Sequence, residues 1–196
     1  MTDTRENLIH TAIQLFLGKG YGVVGTSEIC RIAKVNKGTI YHYFPTKSDL
    51  LIAAIEQYAD EFNKMFEKIV NSKEAPRDKL LRLFDVPRKA NLKWKKEHGF
   101  SQGCLVGNMS LELGAVDESV RLTVGEAMSS WRKTIEPLIE ELIEADEIPA
   151  VNSEKGAEII IGLIQGGLVL AKAYNDPDRI SQIGKGAFGA LEALAQ

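Results

Sequence analysis

Apolar residues recur at intervals of three and four along most of this chain, and that spacing is the feature that most restricts its fold. The clearest stripe runs between residues 51 and 69 and consists of Leu51, Ile55, Tyr58, Phe62, Met65, Phe66 and Ile69. Residues at these intervals share one face of an α-helix, whereas a half-buried strand alternates apolar and polar residues. Because no segment shows convincing alternation, the sequence predicts an all-α fold.

Capping and turn-forming residues divide this pattern into about nine helices. Four glycines between residues 18 and 25 interrupt it, Asn36 can cap a short helix, and Pro45 ends that helix. Thr46 and Asp49 have the spacing of a capping box at the start of a long fourth helix. The predicted helices span about residues 4–18, 26–34, 37–44, 46–70, 77–96, 103–113, 117–145, 152–174 and 176–196.

The composition is that of an ordinary soluble protein, with 44% hydrophobic and 26% charged residues among 196. The chain has no basic N-terminal stretch followed by an apolar run, so no signal peptide is expected. The longest apolar segment, about residues 157–173, contains Glu158, Gln165 and Lys172 and is short for a bilayer span. We therefore expect a cytoplasmic protein.

The chain has few residues suited to metal or redox chemistry. Cys30 and Cys104 are its two cysteines and do not form a CxxC pair, so two thiols in a reducing compartment are expected. His10, His42 and His98 are scattered and have no metal-site spacing. The sequence therefore predicts neither a cofactor nor a metal ion.

Charge is distributed unevenly between the start of the chain and the remainder. Residues 1–51 contain six Lys or Arg and four Asp or Glu, a balance of +2, although the whole chain has a net charge of −3. A basic N-terminal segment on an acidic body is compatible with nucleic-acid binding at that segment. By itself this signal is weak.

The stretch VNKGTIYHYFPTKSDLL, residues 35–51, has the residue types of a DNA-reading element. Two short helices joined by a tight turn fit a helix-turn-helix, in which the second helix enters the major groove. Lys37, Thr39 and His42 are expected to point outward, where a lysine reaches a guanine or a phosphate and a threonine offers a hydroxyl and a methyl. Gly38 costs about 1 kcal/mol inside a helix, which is sensible if a side chain there would hold the helix away from DNA.

The predicted DNA contacts are Thr26, Ser27, Lys37, Gly38, Thr39, Tyr41, His42, Tyr43 and Lys47. Among them, Tyr41, Tyr43 and Lys47 are suited to phosphate oxygens, which position a protein without reading sequence. The alternative is a polar, solvated helix whose aromatic residues pack on the fourth helix.

KGTIYHYFPTKSDLL resembles the signature of the TetR family of bacterial transcriptional repressors. The resemblance implies a three-helix DNA-binding domain over residues 1–48 and a helical ligand-binding and dimerisation domain over residues 49–196. It also implies dimerisation through the last two helices. The two-fold symmetry of a homodimer then predicts a palindromic operator, which we expect a small effector to release. Lys34 is a departure, because the family usually has glycine at the turn, so either the turn differs or Lys34 adopts a strained conformation.

A second stretch, QGCLVGNMSLELG, is similar to a branch of the family that has a Gly-Cys-Leu element. Some members of that branch respond to reactive or electrophilic compounds, which makes Cys104 a candidate sensor. A thiol at the start of a helix has a lowered pKa, and Lys172 is a candidate neighbour. The alternative is that Cys104 is a small buried hydrophobe.

Two further groups of residues are candidates for the effector pocket and the dimer interface. Large apolar side chains suggest an apolar effector, although residues of this type are usually core; the pocket candidates are Phe62, Phe84, Trp94, Cys104, Met109, Met128 and Trp131. Small residues four apart in IIIGLIQGGLVLA indicate close approach of a backbone, from the last helix or from a partner subunit. The interface candidates are Gly162, Gly166, Leu170, Ala187 and Leu191.

The mechanism expected from this reading is a change in the distance between two DNA-binding domains, transmitted by the fourth helix. One rival is an enzyme that uses Cys104 or His98, which is disfavoured because neither has a base at a recognisable spacing. The other rival is a helical adaptor whose helix-turn-helix does not bind DNA. The sequence therefore favours a ligand-responsive regulator, not an enzyme.

Overall fold

The computed structural model describes residues 3–195, and every regular element in that range is an α-helix. This confirms the all-α prediction. The ten helices are α1 (Thr4–Lys19), α2 (Thr26–Ala33), α3 (Lys37–Tyr43), α4 (Lys47–Val70), α5 (Pro76–His98), α6 (Leu105–Leu113), α7 (Glu118–Glu144), α8 (Ser153–Ala173), α9 (Asp178–Gly184) and α10 (Ala187–Ala193). The last predicted helix is divided into α9 and α10 at Lys185 and Gly186.

The chain forms two compact units, each built from two segments. The head unit combines the chain up to Glu61 with Leu105–Ala127, and the body unit combines Phe62–Cys104 with the chain from Met128 onward. The unit boundaries fall inside α4 and α7, and a third falls between Cys104 and Leu105. The division into functional domains at residue 48 stays a prediction.

In the head unit, α1 packs on α2 and α6, and α2 packs on α3. The core is apolar and fully buried at Leu8, Ala12, Phe16, Ile29, Leu50 and Ile55. Asn36 caps α3, because its side-chain oxygen accepts a hydrogen bond of 2.8 Å from the backbone N–H of Thr39. The predicted capping box is present: the Thr46 N–H donates to the Asp49 carboxylate at 2.9 Å, and the Asp49 N–H donates to the Thr46 hydroxyl at 3.1 Å.

The turn between α2 and α3 contains a strained residue. Lys34 has φ 57° and ψ 43°, the left-handed conformation in which glycine is usual. The side chain of Asn7 on α1 donates to the carbonyl of Ala33 at 2.9 Å, so the end of α2 is also held from outside. Of the two alternatives for this turn, the structure shows the strained lysine.

In the body unit, α8 packs on α5, α9 and α10, and α5 also packs on α9. Gly184 at the end of α9 lies against the ring of Phe84, where an added Cβ would be 2.7 Å from the ring. By length and hydropathy alone α8 could cross a membrane, which corrects the expectation that this segment is too short. Within the protein, 44% of its most apolar window is buried.

Candidate nucleic-acid interface and effector site

The structure brings the start of α2 and the outer face of α3 together. The hydroxyl oxygens of Thr26 and Tyr41 lie 3.5 Å apart, and the ring of His42 packs edge-on against Tyr43 with centroids 5.1 Å apart. Tyr41 is 49% exposed and Tyr43 is 36% exposed, so neither is a core residue. Ser27, Lys37, Gly38 and His42 are also exposed, and Thr26 and Thr39 are half-buried. The outer face of α3 therefore presents polar, cationic and aromatic groups together.

Thr39 and Gly38 both lie close to the side-chain oxygen of Asn36, which caps α3. The Thr39 hydroxyl donates to the side-chain oxygen of Asn36 at 3.1 Å, so toward DNA it retains its acceptor lone pairs and its methyl group. A Cβ at Gly38 would be 3.2 Å from the same Asn36 oxygen. The cap thus supplies a structural reason for glycine at this position, beside the approach to DNA that the sequence favoured.

Lys47 is directed into its own head unit. Its ammonium donates to the backbone carbonyls of Tyr21 at 2.9 Å and Val24 at 3.0 Å, and it lies 3.8 Å from the centre of the Tyr21 ring. Burial lowers the pKa of Lys47, and the negative charge of Glu112 acts in the opposite direction. In this structure the Lys47 ammonium is therefore engaged by carbonyls that the α1–α2 loop leaves without helical partners, and its phosphate contact stays a prediction.

Two carboxylates of the head unit were missed by sequence reasoning. Asp117 accepts a 2.9 Å hydrogen bond from the Ser48 hydroxyl and caps the first turn of α7 through the N–H of Val120. The Val120 N–H, and then the Ser48 hydroxyl, hold the pKa of Asp117 below its usual value. Glu112 accepts backbone N–H groups of the α1–α2 loop. Ser48, Tyr21 and Gly22 lie about 70 to 90 residues from these carboxylates along the chain, so no local pattern signals those three contacts.

The structure places the predicted pocket residues in several local contacts. Within the body unit, Phe62 and Trp131 pack together with ring centroids 6.2 Å apart, Phe84 packs on Gly184, and Trp94 stacks on His98. Met109 is fully buried in the head unit. Each of these contacts is compatible with a core position, which is the usual fate of large apolar residues at helical spacing. Their assignment to the effector pocket stays a prediction.

A cavity of about 320 Å³ lies between α7 and α8 in the body unit. Its lining combines apolar, hydroxyl, amide and charged groups: Met128, Ser129, Arg132, Glu158, Ile161, Gly162 and Gln165. Of the predicted pocket residues, Met128 lines it. Arg132 forms ion pairs with Glu136 and, at 2.9 Å, with Glu154. The lining of the cavity is therefore partly polar, and an apolar effector stays a prediction.

Cys104 is connected to this cavity through one hydrogen bond. The side-chain amide of Gln165, which lines the cavity, lies 3.7 Å from the Cys104 sulfur. Cys104 is 5% exposed, as expected for the buried alternative. The loop before it is held by Asn91, whose oxygen accepts from the Gly103 N–H at 2.9 Å and the Ser101 hydroxyl at 2.7 Å. The thiol thus occupies a fixed position beside the cavity wall.

The dimer candidates divide into a buried pair and an exposed group. Ala187 and Leu191 are fully buried within their own chain, which corrects their assignment to a dimer interface. Gly162 and Gly166 are exposed, and no described atom outside α8 comes within 4 Å of a Cβ placed on either. Their small size is therefore not explained by the last helix. Leu170, 39% exposed, is near Val169, which is 53% exposed.

Both parts of the chain match known sequence families. Residues 8–54 match the family described as bacterial regulatory proteins, tetR family, and residues 76–186 match the tetracyclin repressor-like C-terminal domain. The transcriptional regulator AcuR of Cereibacter sphaeroides is 31% identical over 88% of this chain and 78% of its own length. The transcriptional repressor NemR of Escherichia coli K12 is 30% identical over 72% of this chain and 68% of its own.

Solved structures share the fold over nearly the full length. A regulatory protein TetR from Rhodobacter sphaeroides has a TM-score of 0.82 at 28% identity and covers 94% of this chain and 96% of its own. The reduced form of E. coli NemR has a TM-score of 0.81 at 23% identity and covers 95% and 96%.

Proposed function

This chain belongs to the TetR family of bacterial regulatory proteins, and on that premise we propose that it is a ligand-responsive repressor that binds a palindromic operator as a homodimer. It is a DNA-binding transcriptional regulator of that family; repression, the effector and the dimer are the proposal. The observation that carries it is the exposed outer face of α3, capped by Asn36 and lying beside the start of α2. We place the protein in the cytoplasm, where the operator is, and assign it no catalytic activity.

The head unit would read DNA with α3 in the major groove. Lys37 and His42 are exposed and can reach base edges or phosphates, while Tyr41 and Tyr43 offer phenol groups to phosphate oxygens. Thr26 and Ser27 lie at the N-terminus of α2, where backbone N–H groups can bind a phosphate. Thr39 would contact a base through its methyl group or as an acceptor, because its hydroxyl proton is donated to Asn36.

Dimerisation would use the exposed face of α8. Gly162, Gly166 and Leu170 are open to solvent in the single chain, and Val169 adds an exposed apolar side chain beside them. Small residues on such a face allow a partner backbone to approach closely. A two-fold dimer would bind half-sites about 34–36 Å apart, one helical turn of DNA.

The effector would bind in the cavity between α7 and α8. Its lining supports a small molecule with an apolar part against Met128 and Ile161 and a polar group toward Gln165. Because Gln165 also contacts the Cys104 sulfur, an electrophilic effector could report through the thiol. Substitution of Cys104 by alanine separates the two routes: an unchanged response would leave the cavity as the effector site and exclude the thiol.

The proposed switch is a change in the distance between the head units of the two subunits in the dimer. Helix α4 begins at Lys47 in the head unit and continues to Val70 in the body unit. An effector can release DNA only if it binds the DNA-incompatible state more tightly, since equal affinity would shift nothing. In the DNA-incompatible state, a displacement of α4 would place the two α3 helices of the dimer too far apart or too close together to enter adjacent major grooves. The effector would bind this state more tightly.

A mobility shift on the DNA upstream of the chain's own gene tests the proposal. Wild type should bind one fragment with a strong salt dependence, and Lys37→Ala should lose about tenfold or more in affinity. Lys93→Ala, an exposed lysine on α5, is the matched control and should bind as wild type. If no upstream fragment is bound above the non-specific level, the adaptor alternative replaces the repressor.

A further inference from the structure

The carboxylate of Glu112, near the end of α6, accepts hydrogen bonds from the glycine-rich loop between α1 and α2. One carboxylate oxygen accepts the backbone N–H of Tyr21 at 3.0 Å, and the other accepts that of Gly22 at 2.6 Å. Each oxygen therefore takes one amide, and the negative charge makes both hydrogen bonds stronger than neutral ones. Both groups belong to the head unit although they are about 90 residues apart in sequence.

Two glycines of this loop are explained by the approach of the carboxylate. A Cβ on Gly20 would be 3.2 Å from one Glu112 oxygen, and a Cβ on Gly22 would be 3.3 Å from the other. Both distances are tighter than ordinary contacts, so a side chain at either position would require the Glu112 carboxylate to shift by a few tenths of an ångström. Gly20 additionally has φ 83°, which disfavours other residues. The loop is thus shaped to receive a carboxylate.

Lys47 holds the same loop from its carbonyl side. Its ammonium binds the carbonyls of Tyr21 and Val24, so the Tyr21 residue is held at its N–H by Glu112 and at its C=O by Lys47. Burial, followed by the charges of Asp117 and Glu112, raises the pKa of the Tyr21 phenol. Because α2 begins at Thr26, four residues after Gly22, this loop fixes where the helix-turn-helix starts.

We propose that Glu112 is a positioning residue that links α6 to the operator-reading helices. Helix α6 begins at Leu105, directly after Cys104, and contains Glu112, so a displacement of α6 would move the carboxylate that holds the α1–α2 loop. The inference rests on the proposed repressor function. It assigns Glu112 a role that acts through the α1–α2 loop and does not require contact with DNA or effector.

Coupling between two sites is reciprocal, so DNA binding should affect α6 just as a displacement of α6 affects DNA binding. The coupling can therefore be tested by adding DNA, without the effector. Hydrogen–deuterium exchange is measured on the full chain with and without the upstream duplex that it binds. In wild type, DNA should slow amide exchange both in α3 and in Leu105–Leu113, the latter by about fivefold. In Glu112→Gln, which keeps one acceptor oxygen but places an NH₂ group against an N–H, α3 should respond while α6 does not.

Glu118→Gln is the matched control, because Glu118 is an exposed carboxylate of the same unit that pairs with Arg121 on its own helix. It should respond to DNA as wild type does in both segments. An α6 response in Glu112→Gln equal to that of wild type would overturn the inference, since a merely structural carboxylate leaves the response in place. The absence of any α3 response in wild type would instead refute the proposed function.

A second variant covers the case in which Glu112→Gln does not bind DNA or does not fold. Gly22→Ala keeps the carboxylate but places a methyl group 3.3 Å from its oxygen, and Gly22 does not need a left-handed conformation. Gly22→Ala should retain the α3 response and lose the α6 response. A wild-type α6 response in Gly22→Ala would overturn the inference independently of the first variant.

Discussion

Replacement of Lys34 by glycine should stabilise the protein. Lys34 is the left-handed residue between α2 and α3, and its side chain makes no hydrogen bond or ion pair with any residue in 3–195. The substitution therefore changes only the backbone preference and the unfolded chain. A left-handed conformation costs a non-glycine residue about 1–2 kcal/mol. Glycine costs about 0.4–1 kcal/mol through the greater freedom of the unfolded chain.

The difference is a net gain of about 0.5–1 kcal/mol in the free energy of unfolding. For a chain of this size that corresponds to a rise in melting temperature of about 1–4 °C. Urea unfolding followed by circular dichroism should show a higher midpoint with an unchanged slope. Lys34→Asn should behave in the same direction, because asparagine tolerates the left-handed region better than lysine does.

Lys37→Gly is the matched control for this experiment. Lys37 is an exposed lysine at the first position of α3, where glycine should cost up to about 1 kcal/mol. The same chemical change three residues apart should therefore have opposite signs. If Lys34→Gly lowers the urea midpoint as Lys37→Gly does, strain at Lys34 is not the property that decides its effect.

Three further outcomes follow from the packing and the charges. Gly184→Ala would place a Cβ 2.7 Å from the Phe84 ring and should lower the free energy of unfolding by about 1–3 kcal/mol; an unchanged urea midpoint would contradict this. The pKa of Asp117 is lowered by folding, so its stabilisation is present at neutral pH and is lost as the pH falls through that lowered pKa. The stability difference between wild type and Asp117→Asn should therefore shrink on acidification below about pH 4, and a difference that is constant with pH would argue against the assignment. Lys47→Met should destabilise the protein through the loss of both carbonyl contacts, and an unchanged salt slope of operator binding would refute its phosphate contact. Lys37→Ala should reduce that slope by about 1.

Local signals in the sequence predicted the head well. The cap at Asn36 and the capping box at Thr46 and Asp49 depend on residues three positions apart, so their geometry follows from the helix itself. The strain at Lys34 was predictable for the same reason, because helix ends of this kind require a left-handed residue. The helices and the fold class are confirmed on this basis.

Long-range partners were not predictable from the sequence. Nothing near Lys47 in the chain indicates its contacts with the carbonyls of Tyr21 and Val24. Periodicity marked Ala187 and Leu191 as facing an apolar environment, but it does not say whether their own chain or a partner supplies it. The same limitation applies to the aromatic residues taken as pocket candidates.

The head unit is discontinuous in sequence, and this determines how it could be exchanged between proteins. A chimaera that joins residues 1–48 of this chain to the body of a relative would separate Tyr21 and Gly22 from Glu112, and Ser48 from Asp117. A DNA-binding unit transferred to another protein must instead include two segments, the chain up to Glu61 and Leu105–Ala127. A hybrid regulator built on this scaffold should therefore receive both segments from the same protein, so that α6 is transferred together with α1, α2 and α3.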